Sequence, residues 1–149
     1  MKRIIAALDF SNATPVVLEA AARLARAFGA DLHLLHVLEP EPTYTAYGFT
    51  PDEFPAIHTF QEEARKRAHT KLQEAAASLA DCPATTVELA EGSPLQALHD
   101  YARQVDADLL IVGSHGHSLV ASLLLGSVAE GIVRRAVIPV LVIPVPGKR

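Results

Sequence analysis

Short, almost unbroken apolar runs alternate along this chain with longer segments of helical periodicity, and few folds tolerate that alternation. Runs such as Ile4 to Leu8, Leu109 to Val112 and Val140 to Ile143 have no polar face, so each must be covered on both sides as a strand in a parallel sheet. Helices between the strands supply the cover, and the repeat is the βαβ unit. Five strands and four helices are expected. Leu32 to Leu38 carries His33 and His36 on opposite faces, while Thr85 to Leu89 alternates polar and apolar residues and reads as an edge. The fold expected is α/β: an open five-stranded parallel sheet of order 3-2-1-4-5, helices on both faces, in a Rossmann-like arrangement. The chain has 149 residues, of which 50% are hydrophobic, enough for one domain over 1–149 with its own core.

Helix boundaries are marked by cap residues. Thr14 followed by Pro15 is expected to cap and open the first helix, and Gly29 to end it. Glu19, Arg23 and Arg26 form its polar stripe, which leaves Val16, Val17, Leu24 and Phe28 for the sheet. The second helix, from about Pro55 to Leu79, is long, charged and Ala-rich. Ser93-Pro94 repeats the opening device for the third, which should bury Leu95, Leu98, Ala102 and Val105. Residues 39–54 hold three prolines and Tyr44, Tyr47, Phe49 and Phe54, either as a cover over a site or as an interface element.

With 17 acidic against 13 basic residues the net charge is −4, which is no footprint for nucleic acid or for an anionic membrane surface. An anionic ligand must therefore be held by local geometry. The single Cys82 excludes an intramolecular disulfide and fits a reducing, cytoplasmic setting. The short apolar run after Lys2 and Arg3 has no cleavable small-residue site, so neither secretion nor a membrane span is expected.

The chemistry-bearing stretch is Val112-Gly113-Ser114-His115-Gly116-His117-Ser118, continuing to Gly126-Ser127-Val128-Ala129-Glu130. Glycines at the carboxyl end of a strand let the backbone turn sharply and approach a ligand closely. Ser127 stands three residues before Glu130 in the capping-box pattern, so a helix is expected to begin there with unpaired amides. Such a terminus attracts phosphate. In the order 3-2-1-4-5, Asp9 and Gly113 end the two strands that flank the crevice, with Val37 on the neighbouring strand. An acid, an apolar wall and a phosphate cradle suit an adenosine polyphosphate.

Gly113, two residues, Gly116, nine residues and then Gly126-Ser127 make the pattern G-x2-G-x9-G-(S/T), which resembles the nucleotide-binding motif of the universal stress protein family. The strand ending in Asp9, the Gly92-Ser93-Pro94 turn, Ala107 to Val112 and Pro139 to Ile143 extend the resemblance over essentially the whole chain. It implies an adenine nucleotide alpha hydrolase-like domain, commonly a homodimer, that binds ATP, with Mg²⁺ neutralising the phosphates. By the same resemblance Gly113, Gly116, Gly126 and Ser127 match the phosphate loop, with Ser114, His115, His117, Ser118 and Val128 beside them. Asp9 and Val37 match the ribose and adenine positions. Ala7 matches a main-chain contact to the base, where family members often have proline.

Other chemistry finds less support. No G-x4-G-K-(S/T) or helix-opening G-x-G-x-x-G is present. A nucleophile elbow at Ser114 would need glycine where Val112 stands. His115 and His117 lack an assured third metal ligand. No catalytic residue is assigned, although a slow ATPase using His115 or Asp9, or a structural protein binding no nucleotide, are the alternatives. Leu119 to Leu125 is expected to be buried beneath the loop or to start the last helix early. The final strand is an edge yet apolar on both faces, and a second copy of the chain is expected to cover it.

Overall fold

The computed structural model describes residues 1–40, 55–82, 84–115 and 125–145, with backbone alone at 55–57. Its strands are β1 (Arg3–Ala7), β2 (Asp31–Leu38), β3 (Thr85–Glu91), β4 (Leu109–Gly113) and β5 (Val140–Ile143). The helices are α1 (Thr14–Phe28), α2 (Pro55–Ala77), α3 (Pro94–Gln104) and α4 (Ser127–Arg134). All pairings are parallel, in the order β3-β2-β1-β4-β5, so the expected winding holds. The winding of the strand order reverses between β1 and β4, where Ile5 sits opposite Leu110.

Two apolar layers sandwich this sheet. Ile4, Ala6, Leu32, Leu34 and Ile111 face α1 and α2, whereas Ile5, Leu35, Leu110 and Val112 face α3 and α4. The split follows from the pleat, which sends successive side chains to opposite sides. It also separates the two β2 histidines. His33 meets the hydroxyl of Tyr101 on α3 at 2.9 Å, while His36 stacks on Phe10 on the other side with ring centroids 4.5 Å apart. Burial lowers the His33 pKa below its ordinary value.

Several expected helix details are corrected. Ala13, not Thr14, occupies the cap position of α1, and its amide is held by Ser11 Oγ at 3.1 Å. The sheet-facing stripe of α1 is Val17, Ala21, Ala22 and Ala25, whereas Phe28 is 54% exposed. Small side chains on that face let α1 lie close on the sheet. Gly29 ends α1 in the left-handed conformation at φ +61°, and the amide of Ala30 returns to Ala25 O, as the C-cap argument requires. Ser93 does precede α3 with Pro94 in its first turn, but its side chain makes no cap bond. The aromatic loop lies almost wholly outside the described residues, as do Leu119 to Leu124.

Candidate functional site

At the carboxyl ends of β1, β2 and β4 the winding reversal opens a cleft of about 390 Å³. Ala7 at the end of β1 and Asp9, two residues beyond the strand that was expected to end with it, border the cleft, with Val37 of β2, Gly113 of β4, Ser114 and His115 just after it, and Gly126, Ser127 and Val128 at the start of α4. Every candidate residue that the structure describes therefore lines one cavity. Gly116, His117 and Ser118 lie outside the described residues. Pro94 of the Ser93-Pro94 helix start also lines the cleft, as do His36, Glu39 and Leu98, which stand in no recognisable motif and are brought there by the topology.

Asp9 is held by its own turn. The amide and hydroxyl of Ser11 both donate to Asp9 Oδ1, at 3.0 and 2.6 Å, and the same hydroxyl oxygen accepts the Ala13 amide. The intervening Phe10 is forced to φ +59°, a left-handed conformation that costs a non-glycine residue about 1–2 kcal/mol. Its ring is supported from outside the turn by His36 and by the Lys71 ammonium 5.3 Å from its centroid. His36 in turn donates from Nδ1 to Leu8 O at 2.7 Å, since a carbonyl can only accept.

Ser114 is committed to structure. It is 7% exposed; its amide donates to Ile143 O at 2.8 Å, its carbonyl accepts the Gly126 amide at 2.6 Å, and its hydroxyl accepts the Val145 amide at 3.0 Å. The same hydroxyl lies 3.0 Å from His115 Nδ1. Gly113, expected to admit a ligand, borders the cleft and is also closely packed. A Cβ there would meet the Ala13 methyl at 3.0 Å, with His115 O at 3.3 Å.

The N-terminus of α4 departs from its expected cap in a way that favours a ligand. Gly126 is the cap residue, no side chain caps the helix, and Glu130 pairs with Arg134 at 2.8 Å instead of reaching back to Ser127. The capping box does not form because Ser127 is already the first helical residue. Gly126 spends its amide inward on Ser114 O. Among the described residues, the amides of Ser127, Val128 and Ala129 have no backbone acceptor, and all three residues border the cleft. Three N–H groups, the positive end of a helix dipole and a serine hydroxyl suit an anion. Among the described residues no cluster of three His, Cys, Asp or Glu gathers to bind a metal, and no helix is long and apolar enough to cross a membrane.

Comparison with known proteins bears on what such a cleft takes. Residues 1–144 match the model of the universal stress protein family. A universal stress protein of Thermus aquaticus is 31% identical over 144 residues, which are 95% of this chain and 98% of that one. Among solved structures, a universal stress protein in complex with cAMP superposes with a TM-score of 0.68 at 25% identity, covering 97% of this chain and 98% of that one. The universal stress protein from Archaeoglobus fulgidus in complex with dAMP gives a TM-score of 0.63 at 25% identity, covering 95% and 96%.

Proposed function

This chain belongs to the universal stress protein family, and we propose that it binds an adenine nucleotide, ATP accompanied by Mg²⁺, in the cleft between β1 and β4 and serves as a nucleotide-dependent regulatory or interaction module in the cytoplasm. The observation that carries this reading is the meeting of three chemistries in one cavity: the Asp9 carboxylate, the apolar Val37 and Leu98, and the α4 amides beside Ser127. Two similar proteins solved with adenine nucleotides support the ligand class.

In this reading Asp9 receives the ribose hydroxyls, Ala7 offers its main chain to the base, Val37 lies against the purine, and the Ser127, Val128 and Ala129 amides receive phosphate. The stretch Gly116-His117-Ser118 completes the phosphate loop. Mg²⁺, when bound with the nucleotide, would supply neutralisation of the phosphate charge. The residues around the phosphates have structural or binding duties. Ser114 ties β4 to β5, and the His115 ring is turned toward its hydroxyl, so neither is placed to orient an attacking water.

Calorimetry with ATP and Mg²⁺ tests binding, and ligand at 100 times its dissociation constant should stabilise the fold by about 2.7 kcal/mol. Replacing Gly116 or Gly126 with valine should abolish binding and leave the protein folded. Absence of heat and of thermal stabilisation in the wild type would refute the nucleotide reading. ADP release above buffer in single turnover, lost in Asp9→Asn or His115→Ala, would establish the enzyme alternative.

We also propose a homodimer through β5. That strand closes one edge of the sheet, Leu141 on it is 36% exposed, and Val137 just before it is 56% exposed. Light scattering at micromolar concentration should give twice the chain mass of 15.9 kDa, and the single mass would overturn the assignment.

A further inference from the structure

We infer that Ser11 is a positioning residue through which this cleft distinguishes ribonucleotides from 2′-deoxyribonucleotides. The inference rests on the nucleotide reading above and adds a specificity to it. A free aspartate at the end of a strand can rotate about two side-chain bonds, and each rotamer aims its oxygens differently. Asp9 is denied that freedom. Ser11 grips Oδ1 twice, by its amide at 3.0 Å and its hydroxyl at 2.6 Å, so the carboxylate is presented to the cleft it lines in a single orientation.

The grip is itself anchored. Having donated its proton to Asp9, the Ser11 hydroxyl can still accept, and it takes the Ala13 amide at 3.1 Å. Because Ala13 is the cap residue of α1 and 3% exposed, the turn is tied to a helix terminus that cannot drift. Phe10, in its left-handed conformation, adds a further anchor through its ring contacts with His36 and the Lys71 ammonium. Every residue from Asp9 to Ala13 that bears on the carboxylate is thus fixed by a bond or a packing contact other than the ligand.

An acceptor fixed before the ligand arrives loses no rotamer freedom when a hydroxyl binds it, and its discrimination against a ligand lacking that hydroxyl is correspondingly sharp. A hydrogen bond from a sugar hydroxyl to a charged acceptor is worth about tenfold or more in affinity. The wild type should therefore bind ATP at least about tenfold more tightly than 2′-deoxy-ATP. In Ser11→Ala the amide still reaches Oδ1, but the shorter bond and the anchor to Ala13 are gone. The carboxylate regains its rotamers, and the preference should fall to within about threefold through weaker ATP binding, with 2′-deoxy-ATP little changed.

The experiment is calorimetric titration of the wild type, Ser11→Ala and Ser11→Thr with each nucleotide in the presence of Mg²⁺, with thermal melts to confirm folding. The conservative Ser11→Thr keeps the hydroxyl and should keep the preference. A wild type that binds both nucleotides equally well overturns the inference while leaving the nucleotide reading intact. So does a Ser11→Ala variant that retains the full preference, or that weakens both ligands by the same factor as a merely structural residue would. A wild type that binds neither nucleotide refutes the nucleotide reading and the inference with it. Should Ser11→Ala fail to fold, Ser11→Cys, which replaces the hydroxyl with a much weaker donor, decides: a preference clearly below that of Ser11→Thr supports the inference, and a preference equal to it refutes it.

Discussion

Replacing Gly113 with alanine separates two reasons for a glycine at the mouth of a cleft. If it serves the ligand, a methyl should block binding and leave the empty protein as stable as before. The geometry says otherwise. A Cβ at Gly113 would stand 3.0 Å from the Ala13 methyl, 3.3 Å from His115 O and 3.5 Å from a Val145 methyl. The first two belong to a side chain with no rotamer to change and to the main chain, so relief requires α1 to move from β4. Overpacking of this kind costs about 1–3 kcal/mol. At this chain length each kcal/mol lowers the melting temperature by about 2–4 °C. The clash has a specific remedy in Ala13→Gly, which removes the opposing methyl at a cost of about 0.8 kcal/mol and leaves glycine at a cap position that accepts it better than alanine. In that background Gly113→Ala should be milder by about 0.5–3 kcal/mol, the range of coupling between touching residues. Urea denaturation of the wild type, both single variants and the double variant, all without nucleotide, measures the coupling. Additive effects, or a Gly113→Ala protein as stable as wild type that no longer binds nucleotide, would refute the packing argument.

Ser127→Ala should weaken ATP binding by about three- to tenfold, the worth of one neutral hydrogen bond, with an unchanged melting temperature because no cap bond is lost; calorimetry and a thermal melt check both. Burial lowers the His33 pKa, so the unfolded chain takes up a proton near pH 6.5 before the folded one does. Stability should fall as the pH drops below about 6.5 and level off below the folded pKa, and in urea titrations His33→Gln should lack that loss. Asp108 accepts the Lys2 amide at 2.6 Å and the Arg3 amide at 2.9 Å, which holds its pKa below the ordinary 3.8. Its contribution is present above that value and vanishes as acid titrates the folded carboxylate, so Asp108→Asn should show a shallower acid transition than wild type. Leu141→Lys should yield a monomer by light scattering.

The sheet and its order were legible because strands covered on both faces announce themselves as apolar runs, and the polar alternation of Thr85 to Leu89 marked β3 as an edge. Helix ends were less so. The Thr14-Pro15 pair placed the cap one residue late: Ala13 takes the cap position with no side-chain cap bond to the helix, and its own amide turns back to the Ser11 hydroxyl. Phe28 was assigned to the sheet on hydrophobicity, yet close approach of α1 is set by small residues, and Ala21, Ala22 and Ala25 took the face. At the site, each described candidate lines the cleft, but several for reasons the pattern did not contain. Gly113 answers to Ala13, Ser114 to Ile143 and Val145, and Ser127 opens the helix instead of capping it. Spacing identifies which residues meet; it does not say which are already occupied with one another.

Ser114 touches the cleft wall, the end of β5 and the start of α4 at once. A displacement of this one residue by an incoming phosphate would strain the bonds that align the outermost strand, and a second copy docked on that strand would resist the same displacement from outside. Were a nucleotide and a second copy both bound as proposed, they would stand at opposite ends of a single rivet.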